Sequence, residues 1–518
     1  MSVLSAMAVE EKIGQLICAC SGDWPSLDQV VAAGGAGSVY GCLGRHGYTA
    51  PAAAELINHL QEVARYPLLF VGEQEHGSHH NFIGGTEFPA YMAIGASRSR
   101  ELAYEFGRIN TAEGRAVGYN WISCPTVDVN IEPRNPIINT RSLGEDPALV
   151  SELGAESCRA IVEGKGLTCV CHCPGHGAAE CDSHARLPTV TRTEEELWEV
   201  ELAPYRAAIP KGYMNCIMTA HIHYPAWEPE PGLPATLSRR VLTGVVRERL
   251  GFNGIFATDG MGMKAIADNY PDGEAAIRAV EAGCDILLVS DVPATTAALL
   301  GAVSSGRIPP AHLDAAVARI LAAKQWMGLF ENRLVDVARV DETVGCAEHR
   351  ATAKRMAREA VTLLRGAGLP LGPQAKTLVL SNDNEALLTE VRRRNPDAAT
   401  ADLAGDRAAL LAAVRAADVV IFGIVTRVRA SDEESFKANQ ALLAQVREVV
   451  ATGRPTALVV MGNPYVVSDL PETAACLCTY SECPDSVEAA VMALFGEMKT
   501  TGKLPVTIAG QYAYGSGL

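Results

Sequence analysis

The chain has 518 residues, 48% of them hydrophobic and 20% charged, with a formal net charge of −16. This composition describes a globular protein long enough for two or three domains. The acidic balance offers no phosphate-neutralising surface, so nucleic acid is not an expected partner.

The start, Met1 to Leu16, has no basic segment followed by an apolar core and carries acids by Glu10, so no secretory signal is predicted. No run of about 20 uninterrupted apolar residues occurs, and no membrane partner is expected. The 15 cysteines are scattered rather than spaced as a framework. They fit reduced thiols and a cytoplasmic location better than disulfides.

Up to about Phe330, β-rich runs alternate with amphipathic helical stretches. The predicted strands are 37–40, 67–71, 121–129, 166–172, 214–220, 254–258 and 286–289. Helical patterns between them include 52–64, 99–117, 148–163 and 194–208. Such alternation implies a parallel sheet, and its length favours a closed (β/α)8 TIM-like barrel over an open doubly wound sheet. The expected domains are a barrel over 1–335, a linker and connecting helix over 336–373, and a second α/β sandwich domain over 374–518. The linker contains a helix, 347–365, and a Gly/Pro-rich hinge, 366–373. The second domain has strands at 376–381, 418–424, 457–461 and 475–479, and helices at 406–416 and 435–451.

In a parallel barrel the reacting groups stand at the C-terminal ends of strands. Gly254-Ile-Phe-Ala-Thr-Asp259 is a buried strand ending in a carboxylate; Asp259 reads equally well as a reacting group or as a helix cap. The segment from Thr168 to Pro188 contains His172, His176, Asp182 and His184 with Cys169, Cys171, Cys173 and Cys181. Three readings stay open there. Asp182 orients His184 as an acid/base dyad; the Cys/His cluster holds zinc, although its spacing departs from the usual pairs; or the thiols are small core hydrophobes and the imidazoles satisfied polar groups. The last reading suits most of the cysteines. Arg141, in the loop after strand 121–129, can clamp hydroxyls or pair with Glu145 or Asp146. Glu73 and Glu75 follow strand 67–71 and can accept sugar hydroxyls or form a solvated loop. Arg427 and Arg429 follow strand 418–424 as candidates for reaching the active site from the second domain, with a solvated loop as the alternative.

Together these segments resemble glycoside hydrolase family 3. The resemblance is carried by Phe88-Pro89 through Gly95, Pro125–Asn130, Asn135-Pro136, Arg141–Pro147, His172–Gly177, Asp182-Ser-His184, Pro234–Ser238, Gly251–Gly254, Thr258-Asp259 and Ala282–Asp285, in order across most of residues 1–330. The later domain, with Gly502-Lys-Leu-Pro505, is similar more loosely. The Asp-Ser-His segment resembles the β-N-acetylhexosaminidase-like branch, whose bacterial members act on muropeptide-derived sugars. The resemblance implies a retaining β-glycosidase without a cofactor or metal. Asp259 would be the nucleophile, His184 the general acid/base and Asp182 its partner, and Arg141 and His172 would bind sugar. Its substrate would be a small carbohydrate or glycoside; a homodimer is left open.

Three positions depart from the family pattern. Cys171 stands where a lysine is usual, Glu73 where an aspartate is usual, and His76-Gly77 with Ser78–Asn81 replace a Gly-Gly and a downstream arginine. Glu73 and Cys171 would therefore line an altered glycone pocket. A phosphorylase using the same covalent intermediate, and a non-catalytic sugar-binding protein, are the alternative functions.

Overall fold

A computed structural model of the chain describes residues 3–20, 24–41, 47–383 and 385–518, without the side chains of residues 24–26 and 272. It divides into two compact units. The first comprises residues 1–87, 103–129 and 150–349, and the second 88–102, 130–149 and 350–518. This division is discontinuous, unlike the consecutive spans expected from the sequence. Residues 88–102 and 130–149 belong by their contacts with the C-terminal half because they complete its core. Met92, Ala93 and Ala96 of the helix Tyr91–Ser97 pack there with Leu504, Val506 and Ile508. Gly95 makes this possible within the unit, since a Cβ there would lie 1.7 Å from the Leu143 carbonyl oxygen.

The first unit is built on nine parallel strands: β1 (Ile17–Cys20), β2 (Ser38–Tyr40), β3 (Leu69–Glu73), β4 (Trp121–Ser123), β5 (Leu167–Thr168), β6 (Val170–Cys173), β7 (Cys216–Thr219), β8 (Ile255–Gly260) and β9 (Ile286–Val289). Their order is β5-β4-β3-β2-β1-β9-β8-β7-β6. The two end strands, β5 and β6, are consecutive in sequence and separated only by Cys169. β5 pairs with β4 while β6 pairs with β7, so one interrupted stave closes eight positions into a barrel. Helices cover the outside of a parallel sheet, which explains why β9 (ILLV) is apolar throughout instead of alternating.

Three sequence expectations change in this unit. No strand was expected at β1, because ICAC runs directly on from the apolar stripe of the helix Val9–Leu16 and periodicity does not separate the two. The expected strand 121–129 stops at Ser123, since Pro125 lacks the amide needed to continue a ladder. The expected helix 194–208 is two, Glu194–Glu199 and Ala203–Ala208, with Pro204 suited only to a first turn.

The second unit carries a six-stranded sheet: β10 (Thr362–Gly366), β11 (Thr377–Ser381), β12 (Ala399–Thr400), β13 (Val419–Val425), β14 (Thr456–Met461) and β15 (Ala475–Cys478), in the order β10-β15-β14-β13-β11-β12. All pairings are parallel except β10 with β15. Val420, Phe422 and Ile424 face one core layer, and Ile421 and Val425 the other, so β13 is buried on both faces of an α/β sandwich. The expected helix 347–365 ends at Ala360, and after Val361 strand β10 begins at the β-branched Thr362 instead.

Candidate active site

Strand β8 carries Asp259 as its penultimate residue. Its Oδ1 accepts the Gly260 amide at 2.7 Å, and its Oδ2 lies 4.0 Å from His172 Nε2. The helix-cap alternative is not realised: the next helix, Lys264–Ala267, has Met263 at its N-cap. Burial works against ionising this carboxyl, but His172, His221, His184 and the Gly260 amide outweigh it and hold it below the usual aspartate range.

His172 stands on β6 and is itself aimed by a residue the sequence reading did not assign. Asp128 is buried in the loop after β4, and its Oδ2 lies 2.8 Å from His172 Nδ1. Its Oδ1 accepts the His172 amide at 3.2 Å and the His176 amide at 2.5 Å. Burial of Asp128 is more than offset by His172 and these donors, which keep its carboxyl below the ordinary range. With Nδ1 donating to Asp128, the other ring nitrogen faces Asp259. The signal for Asp128 was present in the segment Pro125–Asn130, but the expectation of a continuous strand there hid it.

The loop after β6 brings Asp182 and His184 together. Asp182, 1% exposed, accepts His184 Nδ1 at 2.7 Å and the His184 amide at 2.8 Å through one oxygen, while the imidazole is 31% exposed. The intervening Ser183 seats the loop: its Oγ lies 3.0 Å from His176 Nε2, and its carbonyl accepts the Ala265 amide at 3.2 Å. The dyad is thus tied to both the β6 loop and the segment following β8.

The remaining sequence candidates have different surroundings. Glu73 ends β3 and is turned toward Tyr40, whose hydroxyl donates to Oε1, and His80, whose Nε2 lies 3.0 Å from Oε2. Asn81 brackets the Glu73 backbone, donating to its carbonyl at 2.6 Å and accepting its amide at 2.9 Å. Cys171 is 2% exposed, with its thiol 3.2 Å from the Cys169 carbonyl and 3.7 Å from Met218 Sδ. The hydrogen bond to Cys169 and burial both push this thiol well above its usual pKa, the opposite of a reactive thiolate. Arg141 belongs to the second unit, where its guanidinium donates to the Ile137 carbonyl at 3.1 Å. Its sequence-neighbour acids are engaged elsewhere: Glu145 accepts the Thr507 amide at 2.7 Å, and Asp146 the Leu149 amide at 2.7 Å. Arg427 pairs with Glu482 at 2.6 Å and with Asp383 within the second unit.

Among the described residues, no three His, Cys, Asp or Glu side chains converge as metal ligands, and the described cysteines are free thiols. Cys42 lies outside the described residues. No described helix is long and apolar enough to cross a membrane.

An aspartate held below its usual pKa range and several imidazoles thus gather at strand ends of a parallel barrel, groups of the kind able to do nucleophilic and acid–base work. Residues 8–323 match the N-terminal domain of glycosyl hydrolase family 3, and residues 361–514 match its C-terminal domain. The chain belongs to this family and is a glycoside hydrolase. It is 30% identical to a β-N-acetylglucosaminidase/β-glucosidase from Cellulomonas fimi, over 98% of this chain and 94% of that one. A β-hexosaminidase A from Pseudoalteromonas piscicida is 28% identical over 86% and 84%. Among solved structures, a family 3 β-N-acetylglucosaminidase from Paenibacillus sp. FPU-7 superposes with a TM-score of 0.86 at 29% identity, covering 97% of this chain and 99% of that one. A β-glucoside phosphorylase, BglX, bound to 2FGlc, gives 0.87 at 25%, covering 98% and 95%.

Proposed function

We propose that this chain is a retaining β-glycosidase of the β-N-acetylhexosaminidase type, with Asp259 as nucleophile and His184 as general acid/base. The observation that carries this reading is the Asp182–His184 contact of 2.7 Å in the same barrel as an aspartate held ionised by its neighbours. The names of the Cellulomonas and Paenibacillus relatives support the substrate class.

In the first step an Asp259 oxygen attacks the anomeric carbon, the glycosidic C–O bond breaks, and the His184 imidazolium gives its proton to the leaving oxygen. In the second, neutral His184 takes a proton from water, the resulting hydroxyl bonds to the anomeric carbon, and Asp259 leaves as carboxylate. Asp182 fixes the ring through its contact with Nδ1; in this reading His172, aimed by Asp128, binds the sugar.

The glycone pocket is the altered part of this reading. Glu73 is engaged with Tyr40 and His80, and Cys171 has no cationic head to offer a ring hydroxyl. A glycone other than plain N-acetylglucosamine is therefore expected. A panel of aryl β-glycosides tests this, and best turnover on the N-acetylglucosaminide would refute it.

A second reading is phosphorolysis through the same intermediate. An imidazole repels phosphate less than a carboxylate acid/base would, and one structural neighbour is named a phosphorylase. Acceleration by added phosphate with release of a sugar 1-phosphate would favour it; water as the sole acceptor would exclude it.

A further inference from the structure

Strand β8 does not run in register with β9 to its end. Ala257 pairs with Ile286 and Gly260 with Leu288, so two intervening residues on one strand, Thr258 and Asp259, stand against one on the other, Leu287. The extra residue falls at Thr258-Asp259, a bulge of the kind that redirects a side chain beside an active site. Thr258 Oγ1 accepts the Leu288 amide at 3.0 Å across the gap, and Met261 resumes pairing by donating to the Leu288 carbonyl at 2.9 Å.

The bulged peptide is gripped from the β7 side as well. The Gly260 amide reaches Asp259 Oδ1 at 2.7 Å, and the Gly260 carbonyl lies 3.2 Å from His221 Nε2. A carbonyl only accepts, so Nε2 carries the proton. His221 is 1% exposed, and its Nδ1 lies 2.8 Å from Thr236 Oγ1. That hydroxyl lies 2.9 Å from Thr219 Oγ1 and 3.0 Å from the Ala220 carbonyl it can donate to. Thr219 and Thr236 are themselves wholly buried.

We infer that His221 is a positioning residue for the nucleophile: anchored by Thr236 to β7, it holds the Gly260 carbonyl and thereby the bulged peptide that orients the Asp259 carboxylate. This rests on Asp259 being the nucleophile. The pair is also coupled through charge. Asp259 is faced by His172 from β6, His184 from the β6 loop and His221 from the segment after β7. His221 is faced in turn by Asp259, the Gly260 carbonyl, His184 and His172; burial pushes it toward the neutral ring, and Asp259 opposes this. Thr236 accommodates either state, donating to a bare Nδ1 or accepting from a protonated one while donating to Ala220.

The test is trapping by a fluorinated glycosyl fluoride that accumulates the glycosyl-enzyme, with mass spectrometry of the labelled peptide. His221→Ala should slow trapping by about tenfold or more with KM changed by less than about threefold. It should also move the acid limb of kcat/KM to higher pH, because a group that favours ionised Asp259 is gone. His221→Gln places an amide donor near the Nε2 position and should recover most of the rate but not the pH limb. Thr236→Val should slow trapping less than the alanine variant does, and it decides the matter if His221→Ala does not fold. Trapping at the native rate in His221→Ala, a glutamine variant no better than alanine, or a native rate and pH profile in Thr236→Val as the only folded variant would each overturn the inference. A label on a residue other than Asp259 in the wild type would instead overturn the assignment of the nucleophile.

Discussion

His184 Nδ1 and the His184 amide both meet a single oxygen of Asp182, at 2.7 and 2.8 Å. One carboxylate oxygen thus fixes both the ring and the backbone that bears it, which leaves Nε2 as the nitrogen for proton transfer.

Asp182→Asn keeps an acceptor at this position but removes the carboxylate charge that faces the His184 ring. Turnover of a glycoside with a poor leaving group should fall by about 10²–10³-fold. The loss should be smaller on a dinitrophenyl glycoside, whose departure needs little protonation. His184→Ala should behave likewise, and added azide should restore turnover while giving the β-glycosyl azide, measured by product NMR. Equal losses on both leaving groups would remove His184 from the acid role.

Asp128 is the second carboxylate that acts through a histidine. Its three contacts to His172 and His176 make Asp128→Asn a test of aim rather than of chemistry. The substitution should raise KM and destabilise the protein by roughly 3–5 kcal/mol at neutral pH, the usual consequence of breaking a buried pair. The pH dependence has a definite sign. The folded carboxyl titrates below its ordinary 3.8, so its stabilisation is complete above that value and is lost as pH falls through the folded pKa. The stability gap between wild type and Asp128→Asn should therefore be constant at neutral pH and close below about pH 4 in urea melts.

Much of this centre was legible because its chemistry sits in short segments. Asp259 ends an apolar run, and Asp182 and His184 are two residues apart, so each could be placed from local sequence and family resemblance together. The residues that were missed act across strands. Nothing local marks His221: it is one imidazole after a buried strand, and its meaning comes from Gly260 on the next stave and Thr236 in the following loop. Asp128 was hidden by Pro125, which stops the strand where β-propensity alone continues it. Membership of Phe88–Leu102 in the second unit was illegible for the same reason: the packing of Met92 and Ala96 joins residues about 400 apart in the chain.

Glu113 offers a stability and specificity test within the barrel unit. This buried carboxylate accepts from Ser78 Oγ, the Thr86 amide at 2.9 Å, Thr86 Oγ1 at 2.6 Å and the Gly345 amide at 2.9 Å, and it lies 2.7 Å from His349 Nδ1. Burial is outweighed by these partners, and its carboxyl stays below the usual range. Ser78 and Thr86 bracket the stretch that brings His80 and Asn81 to Glu73. Glu113→Ala should therefore lower stability by roughly 3–5 kcal/mol and also raise KM by disturbing Glu73. A stability loss with unchanged KM would show that the Ser78–Thr86 stretch keeps its shape unaided and would detach Glu113 from specificity.

Lys324 gives the opposite pH sign. It is wholly buried on the helix Pro310–Trp326, where it donates to Gln15 Oε1 at 2.7 Å and the Gly37 carbonyl at 2.9 Å. Both partners are neutral, and burial lowers the ammonium from 10.5 to about 7. Between those values the unfolded chain binds the proton and the folded chain does not, so stability rises with pH across that window. Lys324→Met removes the titration but leaves two buried acceptors without their donor, so it should be destabilising when the lysine is neutral. Wild-type stability relative to Lys324→Met should rise by roughly 3 kcal/mol between pH 7 and pH 9.5, read from paired denaturant melts. A difference independent of pH would mean that Lys324 keeps an ordinary pKa in the folded barrel, which would require an anionic partner or water beside it.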